Sequence, residues 1–188
     1  ADVVMGQSPP SSSYNERGEG LPFFQGKAEF GEIYPTPVKY CSSPSRIAEA
    51  NDVLISVRAP VGNINLAKEK SCVGRGLGAL RAKKDILNQM FLFYFMKKNE
   101  NNWSRLSTGS TFSAIKGSSL KNFEIPLPPL TTQKQIVERL DKIAEAQKLN
   151  DELIQKTDEL FQSLLHKELN PAGKNWGIKK IKDVSTVN

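Results

Sequence analysis

The sequence predicts an α+β chain: a globular domain of mixed short strands with one or two helices, followed by a long projecting coiled-coil helix. Three observations carry this expectation. "DVLISVR" (Asp52 to Arg58) alternates Val53, Ile55 and Val57 and is rich in β-branched residues, as a strand is. "MFLFYFM" (Met90 to Met96) is an apolar run inside a helical pattern. "PLPPLTTQKQIVERLDKI" (Pro126 to Ile143) passes from a proline-rich extended segment straight into a strongly helical one.

The elements follow in order. From Ala1 to about Gly31 the chain is rich in Gly, Pro and Ser, which reads as a long exposed loop. After the strand at Asp52, "APVGNINLA" reads as a turn and a second strand, because Ala59-Pro60 and Gly62-Asn63 break any helix. "GLGALRA" (Gly76 to Ala82) is a third strand, weakened by its glycines. "DILNQMFLFYFMKKNENNW" reads as a buried helix with Asp85 as its cap and Lys97 and Lys98 near its end. "LSTGSTFSAIKGSSL" (Leu106 to Leu120) reads as a small-residue loop, and "FEIPLP" (Phe123 to Pro128) as a short strand.

At the joint, Pro126, Pro128 and Pro129 deny the helix an earlier start. Thr132 is placed to act as N-cap, with Gln135 completing a capping box. The helical pattern persists to about Leu169, where Asn170-Pro171 and Gly173 end it, a length of about 55 Å. A heptad runs through Ile136, Leu140, Ile143, Gln147, Asn150, Ile154, Thr157, Phe161 and Leu164, with Val137, Ala144, Leu149, Leu153, Leu160 and Leu165 widening the stripe. Either the helix folds back on its own domain or it pairs with a partner helix; its length favours pairing, with Asn150 helping to fix register. The organisation expected is a globular domain over 1–130, the long helix over 131–169, and a linker or the start of a second repeat over 170–188. "KDVSTV" (Lys182 to Val187) echoes "ADVVMG" (Ala1 to Gly6), as a repeat ending where the next begins would do.

Composition narrows the function classes. The longest apolar run is seven residues, against the roughly 20 that span a bilayer, and no secretory signal is visible, so a cytoplasmic protein with no membrane role is expected. Cys41 and Cys72 form no C-x-x-C and read as reduced, packed thiols; the single His166 reads as a helix residue near a C-terminus, with no metal site. The formal charge of +6 is uneven: +5 over 1–130, −2 over 131–169 and +3 over 170–188. All aromatics but Phe161 and Trp176 precede the joint, so a basic, aromatic-rich globule is followed by a mildly acidic helix. Such a balance favours polyanionic partners.

The succession "GQSPP", "LPFFQG", "DVLISVRAPVGNI", "GLGALR", "STGSTFSAIKGSSLKNFEIPLPPL" and "QKQIVERLDKI" resembles the DNA-specificity (S) subunit of Type I restriction–modification systems. The terminal "NWGIKKIKDV" looks like the linker opening a second target-recognition domain of such subunits. The resemblance implies a target-recognition domain that reads one half of a bipartite double-stranded DNA target, and a conserved spacer helix. That helix would dock methylation (M) subunits, with the restriction (R) subunit joining through the complex. One recognition domain and one spacer helix are half of the usual subunit, which implies either a half-subunit that pairs with itself or part of a longer chain; the start at Ala1 inclines towards the latter.

No catalytic residue is expected. The adenine methyltransferase loop (N/D)-P-P-(F/Y/W) is missing, since "SPPS" at Ser8 has no amide or acid before its prolines. "GRGLG" (Gly74 to Gly78) lacks the spacing of a nucleotide loop, so no cofactor is expected. DNA affinity would come from Lys and Arg on phosphates, and specificity from side chains on base edges. The candidates are Ser11, Ser12, Tyr14 and Asn15 in the opening loop; Gln25 and Lys27 beside a glycine; Arg58; Arg75 between glycines; and Ser107, Thr108, Ser110, Thr111 and Lys116 in and after "STGST". The alternatives are a Type IIG-like methyltransferase fragment and a protein-interaction module with a helical arm.

Overall fold

The structure is a computed structural model that describes residues 1–106 and 114–185. It is a mixed-strand domain with short helices, followed by one long helix. The strands are β1 (Asp2–Met5), β2 (Tyr14–Asn15), β3 (Leu21–Phe24), β4 (Lys39–Cys41), β5 (Ile47–Ala48), β6 (Val53–Ser56), β7 (Ile64–Leu66), β8 (Ser71–Val73) and β9 (Leu77–Arg81). The helices are α1 (Gln89–Lys98), α2 (Glu100–Leu106), α3 (Gly117–Lys121) and α4 (Leu130–Leu169). The chain divides into two compact units, Ala1–Arg139 and Leu140–Asn188. Among the described residues no helix is long and apolar enough to cross a membrane.

The first unit has two sheets. One has the order β1-β9-β6-β7, antiparallel throughout; the other has the order β2-β4-β3-β8-β5, with β3 and β8 parallel. Period-two alternation sends β6 side chains two ways. Val53 and Ile55 join Ile64, Leu66, Phe91, Leu92, Met96 and Trp103 in the main core, whereas Leu54 joins Phe24, Val73, Leu77 and Ala79 between the sheets. A sheet covered on both faces needs apolar residues at nearly every strand position, which is why "VLIS" is wholly buried. The outer face of the second sheet packs Phe23, Cys41 and Cys72 with Tyr14 and Leu21.

The strands expected at Asp52, after Ala59 and at Gly76 form as β6, β7 and β9. Five other expectations need correction. The opening loop contains β1, β2 and β3; β1 and β3 pair with β9 and β8, far along the chain, and β2 and β3 with the nearer β4; turn character survives at Gly18 and Gly20, with φ of 83° and 92°. The buried helix starts later than Asp85, because Asn88 is its cap and accepts Phe91 N–H at 3.0 Å. Residues 117–121 are helical as α3, with Leu120 buried, where a loop was expected. "FEIPLP" forms no strand: its prolines offer no donors, and Phe123 and Ile125 pack against the main core from an unpaired segment.

The fifth correction concerns the joint. α4 begins at Leu130, directly after Pro129, whose carbonyl accepts Gln133 N–H at 3.0 Å. Thr132 therefore lies inside the first turn and does not cap it. The interaction that anchors this turn is the fully buried Gln133 amide. Its Nε2 donates to Ile86 O at 3.0 Å and Pro128 O at 2.8 Å, and its Oε1 accepts Asn88 N–H at 2.8 Å. One side chain thus ties the start of α4 to the start of α1, and Val137 and Ile136 continue the contact into the main core.

In the second unit, α4 from 141 onward is exposed at every position except Ala144, which is half-buried. Ile143 is 55% exposed, Leu153 63%, Ile154 54% and Phe161 58%, so the apolar stripe is left uncovered by the described residues. Gln147 and Asn150 are exposed too, and Thr157 Oγ1 bonds back to Leu153 O at 2.8 Å. His166 lies in the last turn, and the helix stops at Leu169 as expected, with Gly173 at φ 78° just beyond.

Cys41 and Cys72 are free, buried thiols. Burial, reinforced by the neighbouring Cys41, pushes the Cys72 thiol up from 9.0 to about 11. The folded state therefore holds this proton more tightly, and its stabilising contribution, complete below about pH 9, is lost as pH rises towards about 11. Cys72→Ala should remove that part of the alkaline loss of stability, read from urea midpoints across this range. Gln133→Ala strands two carbonyls and one N–H and should cost about 2–4 kcal/mol, seen as a lower urea midpoint at constant m-value.

Candidate nucleic-acid interface

Backbone pairing gathers basic side chains at one end of the first sheet. β8 and β9 are joined by a tight turn, Gly74 to Leu77, closed by Leu77 N–H to Gly74 O at 3.0 Å, with Arg75 exposed on it. Three strand ends grip this turn. Gly6 and Gln7, leaving β1, donate to Leu77 O and Val73 O; Phe24 O and Gln25 O, at the end of β3, accept Gly74 N–H and Gly76 N–H; and Val57, after β6, donates to Gly76 O at 2.8 Å. The glycines are required by closeness. A Cβ on Gly6 would lie 2.1 Å from Gly74 O, and one on Gly76 2.4 Å from Gln25 O.

Arg58 follows Val57 and pairs with Ala114, while Ile115 N–H bonds to Val57 O at 2.9 Å. This brings Lys116 beside the same strand end, and both cations are exposed. Among the described residues Arg58, Arg75 and Lys116 make no ion pair. Arg81, at the opposite end of β9, contrasts with them: its Nε and Nη2 hold both oxygens of Asp52 at 2.9 and 2.7 Å, and this pairing holds its guanidinium in the charged form.

The other predicted positions divide. Gln25 is half-buried and Lys27 exposed, and a Cβ on the Gly26 between them would meet nothing within 4 Å. Glu29 Oε2 accepts Gly26 N–H at 3.3 Å. Ser11 and Ser12 are exposed in a 3-10 turn. Tyr14 stacks on Phe23 with centroids 4.5 Å apart and donates to Pro9 O at 2.7 Å; burial pushes its phenol up, so it stays a donor at neutral pH. The Asn15 side chain is committed to its own turn through Arg17 N, Glu19 N and Glu19 O. Ser107, Thr108, Ser110 and Thr111 lie outside the described residues. Ser8 escaped sequence reasoning, yet its Oγ accepts from Gln25 Nε2 at 2.9 Å and from Arg75 N–H at 3.3 Å. Nothing in "GQSPP" signals this, because the contact spans 67 positions.

The model of the Type I restriction modification DNA specificity domain family matches residues 1–158. The chain belongs to this family. A Methanocaldococcus jannaschii protein named as the type I restriction enzyme MjaX specificity subunit is 46% identical over 166 residues, covering 87% of this chain and 39% of that protein. The crystal structure of the HsdS subunit from Thermoanaerobacter tengcongensis matches with a TM-score of 0.69 and 50% identity, over 77% of this chain and 35% of that one. A structure described as the basis of complex assembly and conformational transition of the type I R-M system matches with a TM-score of 0.78 and 46% identity, over 91% of this chain and 43% of that one. This specificity domain thus spans less than half the length of each.

In the specificity domain the gripped turn should tolerate a methyl group only where space exists. Gly6→Ala should cost about 1–3 kcal/mol by overpacking, whereas Gly26→Ala should leave the thermal midpoint in place; paired melting curves check both.

Proposed function

We propose that this chain reads one half of a bipartite double-stranded DNA target for a Type I restriction–modification complex, without performing the methylation or cleavage itself. The observation that carries the reading is the cluster of exposed cations Arg58, Arg75 and Lys116 at one sheet end, which make no ion pair among the described residues, in a chain of net charge +6. Cations without a carboxylate partner are free to neutralise phosphates and release counterions. Arg75, on a turn held by three strand ends, is preorganised for bidentate contact with guanine O6 and N7. Lys27, Ser11, Ser12 and Ser107, Thr108, Ser110 and Thr111 remain proposed contacts to phosphates and base edges, with Tyr14 and Asn15 shaping the loop that carries the serines.

The exposed stripe of α4 supports an assembly role. An apolar seam along a helix is covered in a working complex, and the occupants we propose are a second spacer helix, from the same chain or from another copy, and the methylation subunits. The restriction subunit would join through that complex. Such a division of labour separates DNA contact from assembly along the chain.

Arg58→Ala and Lys116→Ala should each weaken duplex binding by the assembled complex and flatten the dependence of log K on log salt by about 1. An unchanged slope would remove these residues from the interface. Leu153→Asp with Ile154→Asp should abolish co-purification with the methylation subunits while leaving the melting of the first unit untouched, because both positions are exposed; retained assembly would sink the role given to the helix.

A further inference from the structure

The turn that presents Arg75 also holds a second polar group. Gln25 is fixed along its backbone, where Gly76 N–H bonds to its carbonyl at 3.1 Å and a Cβ on Gly74 would lie 3.0 Å from its Cα. Its side chain is fixed as well, by the 2.9 Å bond from Nε2 to Ser8 Oγ. The same oxygen accepts the Arg75 N–H at 3.3 Å, so one hydroxyl orients the amide and locks the adjoining turn.

Two other glutamine amides of this unit are held by three hydrogen bonds each, whereas the buried Asn65 Oδ1 finds no partner among the described residues. Gln133 makes three hydrogen bonds, and Gln89 makes three, to Ala82 N, Asn51 O and Leu80 O. Gln25 differs: Nε2 keeps a second hydrogen, and Oε1 accepts no hydrogen bond from the described residues. It therefore offers one donor and one acceptor on a planar group of set orientation. In the major groove adenine presents the complementary pair, an N6–H donor beside the N7 acceptor, whereas guanine presents two acceptors and repels the amide oxygen. A Cβ on the adjoining Gly26 would meet nothing within 4 Å.

We propose that Gln25, oriented by Ser8, reads an adenine in the major groove beside the base or phosphate that Arg75 contacts. This rests on the reading of the chain as a DNA-specificity domain. Gln25 is then a specificity-determining residue, and Ser8 a positioning residue that acts through it.

The test uses the assembled methyltransferase complex. Its target is first mapped by N6-methyladenine sequencing, and duplex binding is then measured with 7-deazaadenine replacing each adenine of the half-site in turn. At one position the loss of N7 should weaken wild-type binding at least about fivefold. At that position Gln25→Ala should show no additional loss, since the contact is already gone. Ser8→Ala should shrink the effect there without moving it. Gln25→Glu keeps the side-chain shape and should show the same insensitivity at that position, which separates lost reading from lost folding. Equal losses in wild type and both Gln25 variants at every adenine, or a half-site with no adenine, overturn the inference and make the amide a brace for the turn; the DNA-reading proposal survives that result. A wild-type complex with no sequence preference ends both.

Discussion

Everything in the first unit follows from a four-stranded sheet that is buried on both faces. Helices α1 and α3 cover one side through Phe91, Leu92, Met96 and Leu120, and the second sheet covers the other through Phe24 and Val73. Side chains in the middle of β6 and β9 are occupied by packing, so groups that meet a partner come from strand ends and connections. One end is closed by the Asp52–Arg81 pair. The other gathers Arg58, Arg75, Lys116, Gln25 and Ser8. Burial thus decides where recognition can sit before any charge is considered.

The same sheet also explains why the long helix is well anchored at its start. α1 lies on the main core, its first turn is capped by Asn88, and the Gln133 amide bonds to the backbone on either side of Leu87. Three hydrogen bonds from a buried amide are directional, whereas the hydrophobic contact of Val137 is not. Further along, the apolar stripe from Ile143 to Leu165 is exposed.

The sequence was legible where local chemistry and pattern coincide. The alternation of Val53, Ile55 and Val57 gave β6, and the prolines before Leu130 set the start of α4 to within three residues. It was misleading where distant pairing overrides composition. Gly, Pro and Ser around residues 6–20 signal a loop, yet Val3 and Val4 belong to a strand because β9 offers its edge to them. Asp85 and Thr132 are both good capping residues by type. Asn88 displaces the first because its carboxamide reaches Phe91 N–H; the second lost its place because Pro129 could supply the first carbonyl of the helix one turn earlier.

Of the candidate site, Arg58 and Arg75 were readable as exposed cations beside turns, but their proximity was not. Asn15 was chosen as a polar loop residue, and only the structure showed its amide absorbed by Arg17 and Glu19. Ser8 carried no signal at all. The sequence alone determined residue chemistry, the mixed-strand class, the long helix and the resemblance to DNA-specificity subunits, because these depend on composition and on spacings within one or two turns. Tertiary structure decided which cations and amides find partners among the described residues and which strand ends meet. Those depend on contacts between positions as far apart as Ser8 and Arg75, which no local pattern encodes.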